Sequence, residues 1–266
     1  MILFYKLNQR LFISSVMMFL RHHLNQIINI LLPPRCPITG DVVERVGAIS
    51  ASAWKNLTFI SDPVCSCCGI PFSIDMGTDE GIDSSLLCGE CLTHQPSFES
   101  ARSSVLYDDF SKPMILAFKH GDALHLHTSL APLLANLIPQ DLRNENSVIV
   151  PVPLHWTRLV KRRYNQSAVL AQSISNLTGI VYGPDILLRT RATPPQGHQS
   201  AKDRQKNVAG AFAINPKYKD NYTGKNFILI DDVYTTGATL NECAKTLKSS
   251  CDGHIHVVTL ARAVKA

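Results

Sequence analysis

The sequence predicts an α/β protein, a mainly parallel sheet with helices on both faces, preceded by a small cysteine-rich module. Three observations carry this reading. Nearly unbroken apolar runs at Val148–Val152, Phe227–Ile230 and Ile255–Leu260 read as strands buried on both faces, and a shorter one at Ser104–Tyr107 joins them. Helical spacing lies between them. In Tyr164–Thr178 the apolar positions are Ala168, Leu170, Ala171, Ile174 and Leu177, and Gly179 follows as a stop. Two CxxC pairs sit upstream. A chain of 266 residues is long enough for one such domain and a module, and 45% hydrophobic content excludes a disordered chain. The formal charge of +5 suits anionic ligands without establishing nucleic-acid binding.

Residues 1–30 are basic and apolar. Leu11–Leu20 is too short to span a bilayer comfortably, and no small-residue cleavage site follows it, so no integral membrane span is expected. Phe19, Leu20, Leu24, Ile27, Ile28 and Leu31 keep a helical spacing. A helix packed against the protein is the preferred reading. The alternatives are a weakly membrane-attracted amphipathic helix and a mis-assigned start, with Met17 or Met18 as the first residue.

The module is expected over residues 31–96. Cys65-Ser-Cys-Cys68 and Cys88-Gly-Glu-Cys91 are two knuckles 19 residues apart. Each presents two sulfurs, and together they complete a tetrahedron around one structural zinc held by Cys65, Cys68, Cys88 and Cys91. Cys67 is left over, and His94 is a weaker alternative ligand. Cys65→Ser is expected to destabilise the module and leave ligand binding elsewhere in the chain largely intact. Upstream, Pro33-Pro-Arg-Cys-Pro-Ile-Thr-Gly40 begins like another knuckle, but Thr39 stands where a second cysteine belongs, and Ser50-Ala-Ser-Ala53 follows. Cys36 alone cannot hold zinc, so packing must stabilise this part.

After the strand at Val148–Val152, Pro151 and Pro153 open a loop carrying Arg158, Lys161, Arg162 and Arg163. Cations at a strand's carboxyl end can hold a pyrophosphate, and a solvated basic helix face explains Arg158 and Lys161 equally well. Arg189–Gly210 is polar, with Pro194, Pro195, Gly197, Lys202, Arg204 and Lys206, and reads as a mobile loop with a short helical part. His120, His125 and His127 read as capping or surface residues, and Cys243 and Cys251 as small core residues.

Phe227-Ile-Leu-Ile-Asp-Asp-Val-Tyr-Thr-Thr-Gly-Ala-Thr-Leu240 holds the strongest chemical signal. Asp231 and Asp232 stand at a strand's carboxyl end, where open α/β sheets place ligands. Thr235, Thr236, Gly237, Ala238 and Thr239 form a turn of small residues whose amides and hydroxyls can close on a phosphate. Carboxylates for vicinal hydroxyls beside a phosphate turn suit a phosphorylated ribose. No Gly-Lys-Ser/Thr ends the turn, which disfavours a P-loop.

This segment resembles the 5-phosphoribosyl-1-pyrophosphate (PRPP) signature of type I phosphoribosyltransferases. From about Leu31 onward the chain also resembles the ComF family of competence-related, phosphoribosyltransferase-like proteins, whose members often carry two cysteine clusters. Its landmarks occur in order: Tyr107 and Ala117-Phe-Lys-His-Gly-Asp122, Val148–Pro153, and Arg162-Arg-Tyr-Asn-Gln166. Thr193-Pro-Pro-Gln196, Ser200, Arg204, Asn207 and Phe212 follow, then the signature and Thr259-Leu-Ala-Arg262. Departures are Thr39, Ser50 and Ala53 at ligand positions, Arg163-Tyr164 for the usual Gly-Phe, and Gln199 where leucine is commoner.

The resemblance implies a type I phosphoribosyltransferase-like domain over 97–266, with the Arg189–Gly210 loop closing over PRPP. It assigns Asp231 and Asp232 a catalytic role, and PRPP binding to Thr235–Thr239, Arg163, Asn165 and Gln166. It implies magnesium with PRPP, one zinc, a cytoplasmic setting, and phosphoribosyl transfer to an acceptor for which no base-recognition motif appears. Two alternatives are a non-catalytic PRPP or nucleotide sensor and a factor that binds single-stranded DNA alongside competence or DNA-uptake machinery.

Overall fold

Strands with apolar residues on both faces need cover on both sides, and that requirement organises this chain. The computed structural model describes residues 32–72, 86–120, 123–193, 201–218, 222, 224–249 and 252–264. The expectations for residues 1–30, Gly121, Asp122, 194–200 and Cys251 lie outside that set. Two short helices, α1 (Ala51–Asn56) and α2 (Gly89–Thr93), belong to the amino-terminal module. Then come β1 (Ser100–Leu106), α3 (Ser111–His120), α4 (His127–Asn136), β2 (Ser147–Pro151), α5 (Trp156–Arg162) and α6 (Gln166–Thr178). The chain continues with β3 (Val181–Tyr182), β4 (Leu187–Arg189), α7 (Ala201–Val208), β5 (Phe212–Ile214), β6 (Asn226–Tyr234), α8 (Ala238–Lys248) and β7 (Ile255–Arg262).

Five strands form one parallel sheet in the order β1-β7-β6-β2-β3. Its alternation sorts the core into two layers. Ile149, Ile228, Ile230, Val258 and Leu260 pack with Phe118 of α3, Leu130 and Leu134 of α4, and Leu170 and Ile174 of α6. Val148, Val150, Phe227, Leu229 and Val257 face the other way, onto Leu240, Cys243 and Leu247 of α8. The four expected strands and the Tyr164–Thr178 helix are present with shifted ends, and Gly179 closes α6 at φ +76°. The antiparallel pair β4–β5 and the two-residue β3 were not foreseen. Such short strands carry no readable period, and β4 takes in only Arg189, the first residue of what read as the Arg189–Gly210 loop.

The amino-terminal module covers the sheet's β1 edge. Phe59 bridges Val105 antiparallel, the Ile60 amide donates to the Ser104 carbonyl, and the Leu106 amide donates to the Thr58 carbonyl. An open strand edge is thereby paired. Cys36, Ile49, Ala53 and Leu57 join one core layer, while Cys65, Cys67, Cys68 and Cys91 join the other. The module therefore straddles the sheet. No helix among the described residues is long and apolar enough to cross a membrane.

Candidate functional site

Unequal pairing of β6 creates the site. On one side β2 stays in register only to Pro151 opposite Ile230, and the Val152 amide donates the last bond to the Ile230 carbonyl. Proline at 151 and 153 has no N–H with which to continue the ladder. On the other side β7 pairs with β6 as far as Tyr234 opposite Arg262. Asp231 and Asp232 thus lie inside β6 rather than after it, anchored by β7 and uncovered on the β2 side. A cavity of about 1000 Å³ opens there.

Both carboxylates line it. Ser167 Oγ donates to Asp231 Oδ1 at 2.8 Å, and the Asp232 amide donates to the same oxygen at 2.9 Å. Burial and the adjacent Asp232 charge push the Asp231 carboxyl up to about 7. Asp232 is 8% exposed and pairs with Lys119 Nζ at 3.0 Å. Thr235–Thr239 line the cavity next to them. Gly237 is the N-cap of α8 at φ +73°, with no side-chain cap bond. The first amides of α8 therefore lack intrahelical partners and face an anion-favouring helix end.

Arg158, Arg162, Arg189 and Arg204 also line the cavity. Burial and the neighbouring Arg162 lower the Arg158 pKa, and burial and Arg158 lower that of Arg189. Arg158 donates to the Thr193 carbonyl and Arg162 to Gln166 Oε1. Among the described residues no carboxylate forms an ion pair with Arg158, Arg162 or Arg189. The Nε atoms of Arg189 and Arg204 are buried without a hydrogen-bond partner. Clustered, partly desolvated cations with orphaned donors are built for a polyanion.

The predicted residues divide by position. Gln166 lines the cavity and donates to the Lys119 carbonyl. Asn165 instead caps α6, accepting from the Ser167 amide and donating to the Val152 carbonyl. Arg163 is exposed and outside the cavity, closing α5 in the left-handed region at φ +68°. Arg162, one residue earlier, faces in. Lys119, Ser167, Arg189 and Arg204 were not assigned roles from sequence. Lys119 and Arg204 sat in recognised landmarks and Arg189 opened the polar stretch read as the closing loop, whereas nothing local marked Ser167. A non-glycine residue in the left-handed region costs about 1 kcal/mol. Arg163→Gly is therefore expected to raise the melting temperature by roughly 2–4 °C and leave ligand affinity unchanged. Thermal melts and calorimetry check both halves.

The second candidate centre lies in the module. The Sγ atoms of Cys65, Cys68, Cys88 and Cys91 all lie within 4.8 Å of one another, and Cys68 and Cys88 are 3.7 Å apart. Tetrahedral zinc with 2.3 Å bonds needs sulfurs about 3.8 Å apart, so the donor set fits. The Cys88 amide donates to Cys65 Sγ at 3.3 Å, the kind of outer bond a metal-bound thiolate needs. Cys67 turns to the Phe98 carbonyl, and His94 is exposed and bonded to Thr93. At the degenerate knuckle, hydroxyls replace metal. Thr39 Oγ1 lies 2.9 Å from Ser50 Oγ, and both Thr39 and Ser52 donate to Asp41. That network adds to the packing expected there.

Comparison with known proteins bears on the module and on the family of the whole chain. A double zinc ribbon domain model matches residues 27–92. Competence protein F of Haemophilus influenzae is 34% identical over 183 residues, 66% of this chain and 78% of that protein. The DNA utilization protein YhgH of Salmonella typhimurium is 30% identical over 207 residues, 75% of this chain and 84% of that protein. Among solved structures, adenine phosphoribosyltransferase of Leishmania tarentolae overlaps 60% of this chain and 78% of its own, at 10% identity and a TM-score of 0.34. With that identity to competence protein F over most of the relative's length, the chain belongs to the ComF family.

Proposed function

We propose that this protein binds PRPP in the cavity at the carboxyl ends of β2 and β6, and transfers its phosphoribosyl group. One observation carries the reading: a carboxylate pair, an amide-rich turn and guanidiniums with no carboxylate partner among the described residues line a single cavity. Asp231 and Asp232 would hold the ribose hydroxyls and stabilise the positive charge that develops at C1. Thr235–Thr239 would grip the 5-phosphate. Lys119, Arg158, Arg162, Arg189 and Arg204 would hold the pyrophosphate, and Gln166 and Ser167 would set the wall between. Asn165 and Arg163 would act by shaping the α5–α6 corner. Magnesium, if bound, would neutralise pyrophosphate charge, and Asp231 and Asp232, which line the cavity, would help hold it. In transfer the C1–oxygen bond breaks, pyrophosphate leaves with its electron pair, an acceptor atom bonds to C1, and the acceptor's proton passes to solvent. Positioning and electrostatics do most of this work.

The names of the relatives support a competence or DNA-utilisation role; the reading adds a cytoplasmic setting, with residues 31–96 as the ribbon module and 97–266 as the phosphoribosyl domain. Calorimetry with PRPP, with and without magnesium, tests the reading. Saturable 1:1 binding strengthened by magnesium is expected, with pyrophosphate release on adding the right acceptor. Binding without turnover across bases and single-stranded DNA would make the protein a sensor. No binding would remove the reading.

A single-stranded-DNA role has its own support. Trp156 is 68% exposed at the start of α5, the helix that sends Arg158 and Arg162 into the cavity. An exposed ring beside cations is how single strands are stacked and neutralised. Trp156→Ala is expected to weaken a fluorescent oligonucleotide about 10-fold, a loss of stacking. Charge removal at Arg158, Lys161 and Arg162 should flatten the salt dependence. A flat salt response in the parent protein would end this role.

A further inference from the structure

Arg262 ends β7 and is only 5% exposed. Its Nη1 donates to the Cys68 carbonyl at 2.6 Å, and Nη2 lies 3.4 Å from Cys68 Sγ. Neither ion pair among the described residues involves it. A buried guanidinium needs an anion nearby, and the anionic group it reaches is a cysteine of the zinc set, anionic when metal-bound. The same guanidinium lies over the Tyr234 ring, 3.8 Å from its centroid. Phe98, which follows the second knuckle, makes a T-shaped contact with that ring at 6.3 Å between centroids. Tyr234 in turn abuts the phosphate turn: its hydroxyl stands where a Cβ on Gly237 would have to go.

We propose that Arg262 and Tyr234 wire the zinc ribbon to the phosphate turn, so that metal loading and 5-phosphate binding reinforce each other. Zinc thiolates hold Arg262, Arg262 holds Tyr234, and Tyr234 fixes the backbone at Gly237. Both are positioning residues, for neither touches the ligand in this scheme. Sequence alone suggested the opposite, a module whose loss spares the site. The inference rests on the turn being the phosphate site, and it adds a role for the metal that the site's own residues do not require.

Linkage makes the test sharp, because two ligands that assist each other must do so by equal factors. In the full-length zinc-loaded protein, saturating ribose 5-phosphate should tighten zinc against a competing chelator, while pyrophosphate, held by the arginines, should not. Arg262→Met should weaken zinc roughly 10- to 100-fold, as loss of an outer-sphere partner does. It should also shift the thiolate charge-transfer bands of the cobalt-substituted protein and weaken ribose 5-phosphate more than pyrophosphate. Arg262→Lys should restore part of each. Tyr234→Phe should weaken ribose 5-phosphate and leave the cobalt spectrum unchanged. Should Arg262→Met fail to fold, the parent's chelator titration decides alone. Zinc affinity indifferent to ribose 5-phosphate in a protein that binds it overturns the wiring, as does equal weakening of both phosphate ligands. If the parent binds neither ribose 5-phosphate nor PRPP, the binding reading itself falls and takes this inference with it.

Discussion

Gly237→Val is expected to abolish PRPP binding while leaving the zinc content at one per chain. Two costs combine. Residue 237 sits at φ +73°, where a β-branched side chain is strained by at least 1–2 kcal/mol, roughly. The new Cβ would also meet the Tyr234 hydroxyl, and Tyr234 is held in place by Arg262 over its face and by a T-shaped contact with Phe98. The turn must therefore move, and with it the amides at the start of α8. Loss of two or three charge-assisted hydrogen bonds to a phosphate is worth roughly 3 kcal/mol or more, so affinity should fall at least 100-fold. Gly237→Ala should be intermediate. Calorimetry on the folded variants checks this, and parent-like affinity in Gly237→Val would mean the turn is not the phosphate site.

Asp231→Asn is expected to weaken PRPP and magnesium binding and to remove a pH dependence. In the ligand-free protein the Asp231 carboxyl titrates at about 7, because burial and Asp232 disfavour its charge. Ribose hydroxyls and a cation need the ionised form. Affinity should therefore hold above pH 7 and fall by up to about tenfold per pH unit below it. The same shift acts oppositely on stability. A carboxyl whose folded pKa is raised favours the folded state fully below about pH 4. That contribution is lost as pH rises to about 7, and little changes beyond. Asparagine can still accept from Ser167 and from the Asp232 amide, so the variant should be more stable than the parent at pH 8 and close to it at pH 4. Urea melts at the two pH values, beside PRPP titrations from pH 5.5 to 8.5, give the result. A variant with parental affinity and an unchanged pH profile would sink the assignment of Asp231. Asp232→Asn should also weaken binding, and it frees Lys119 from its partner.

Much of this molecule can be read locally. The α/β class follows from apolar runs whose length and composition admit few other structures. The zinc set follows from two spacings, and the sulfurs of Cys65, Cys68, Cys88 and Cys91 do converge. The signature at Asp231–Thr239 is contiguous, so its carboxylates and its turn had to be neighbours. Each is a short-range pattern, set by backbone periodicity or by the reach of one turn.

The rest was decided by distance in sequence and by rotation about helix axes. Adjacent helical residues point about 100° apart, so only the packed position of α5 shows that Arg162 enters the cavity. Arg163 leaves it because the backbone reverses there into the left-handed region. Arg189 and Arg204 reach the site from β4 and α7, which pack there through contacts with β5 and α8 that no local pattern encodes. Arg262 and Cys68 lie 194 residues apart and meet because β1 pairs with β7 while the module caps the β1 edge. A buried guanidinium must find its partner wherever the fold brings one, and that partner is visible only once the chain is folded.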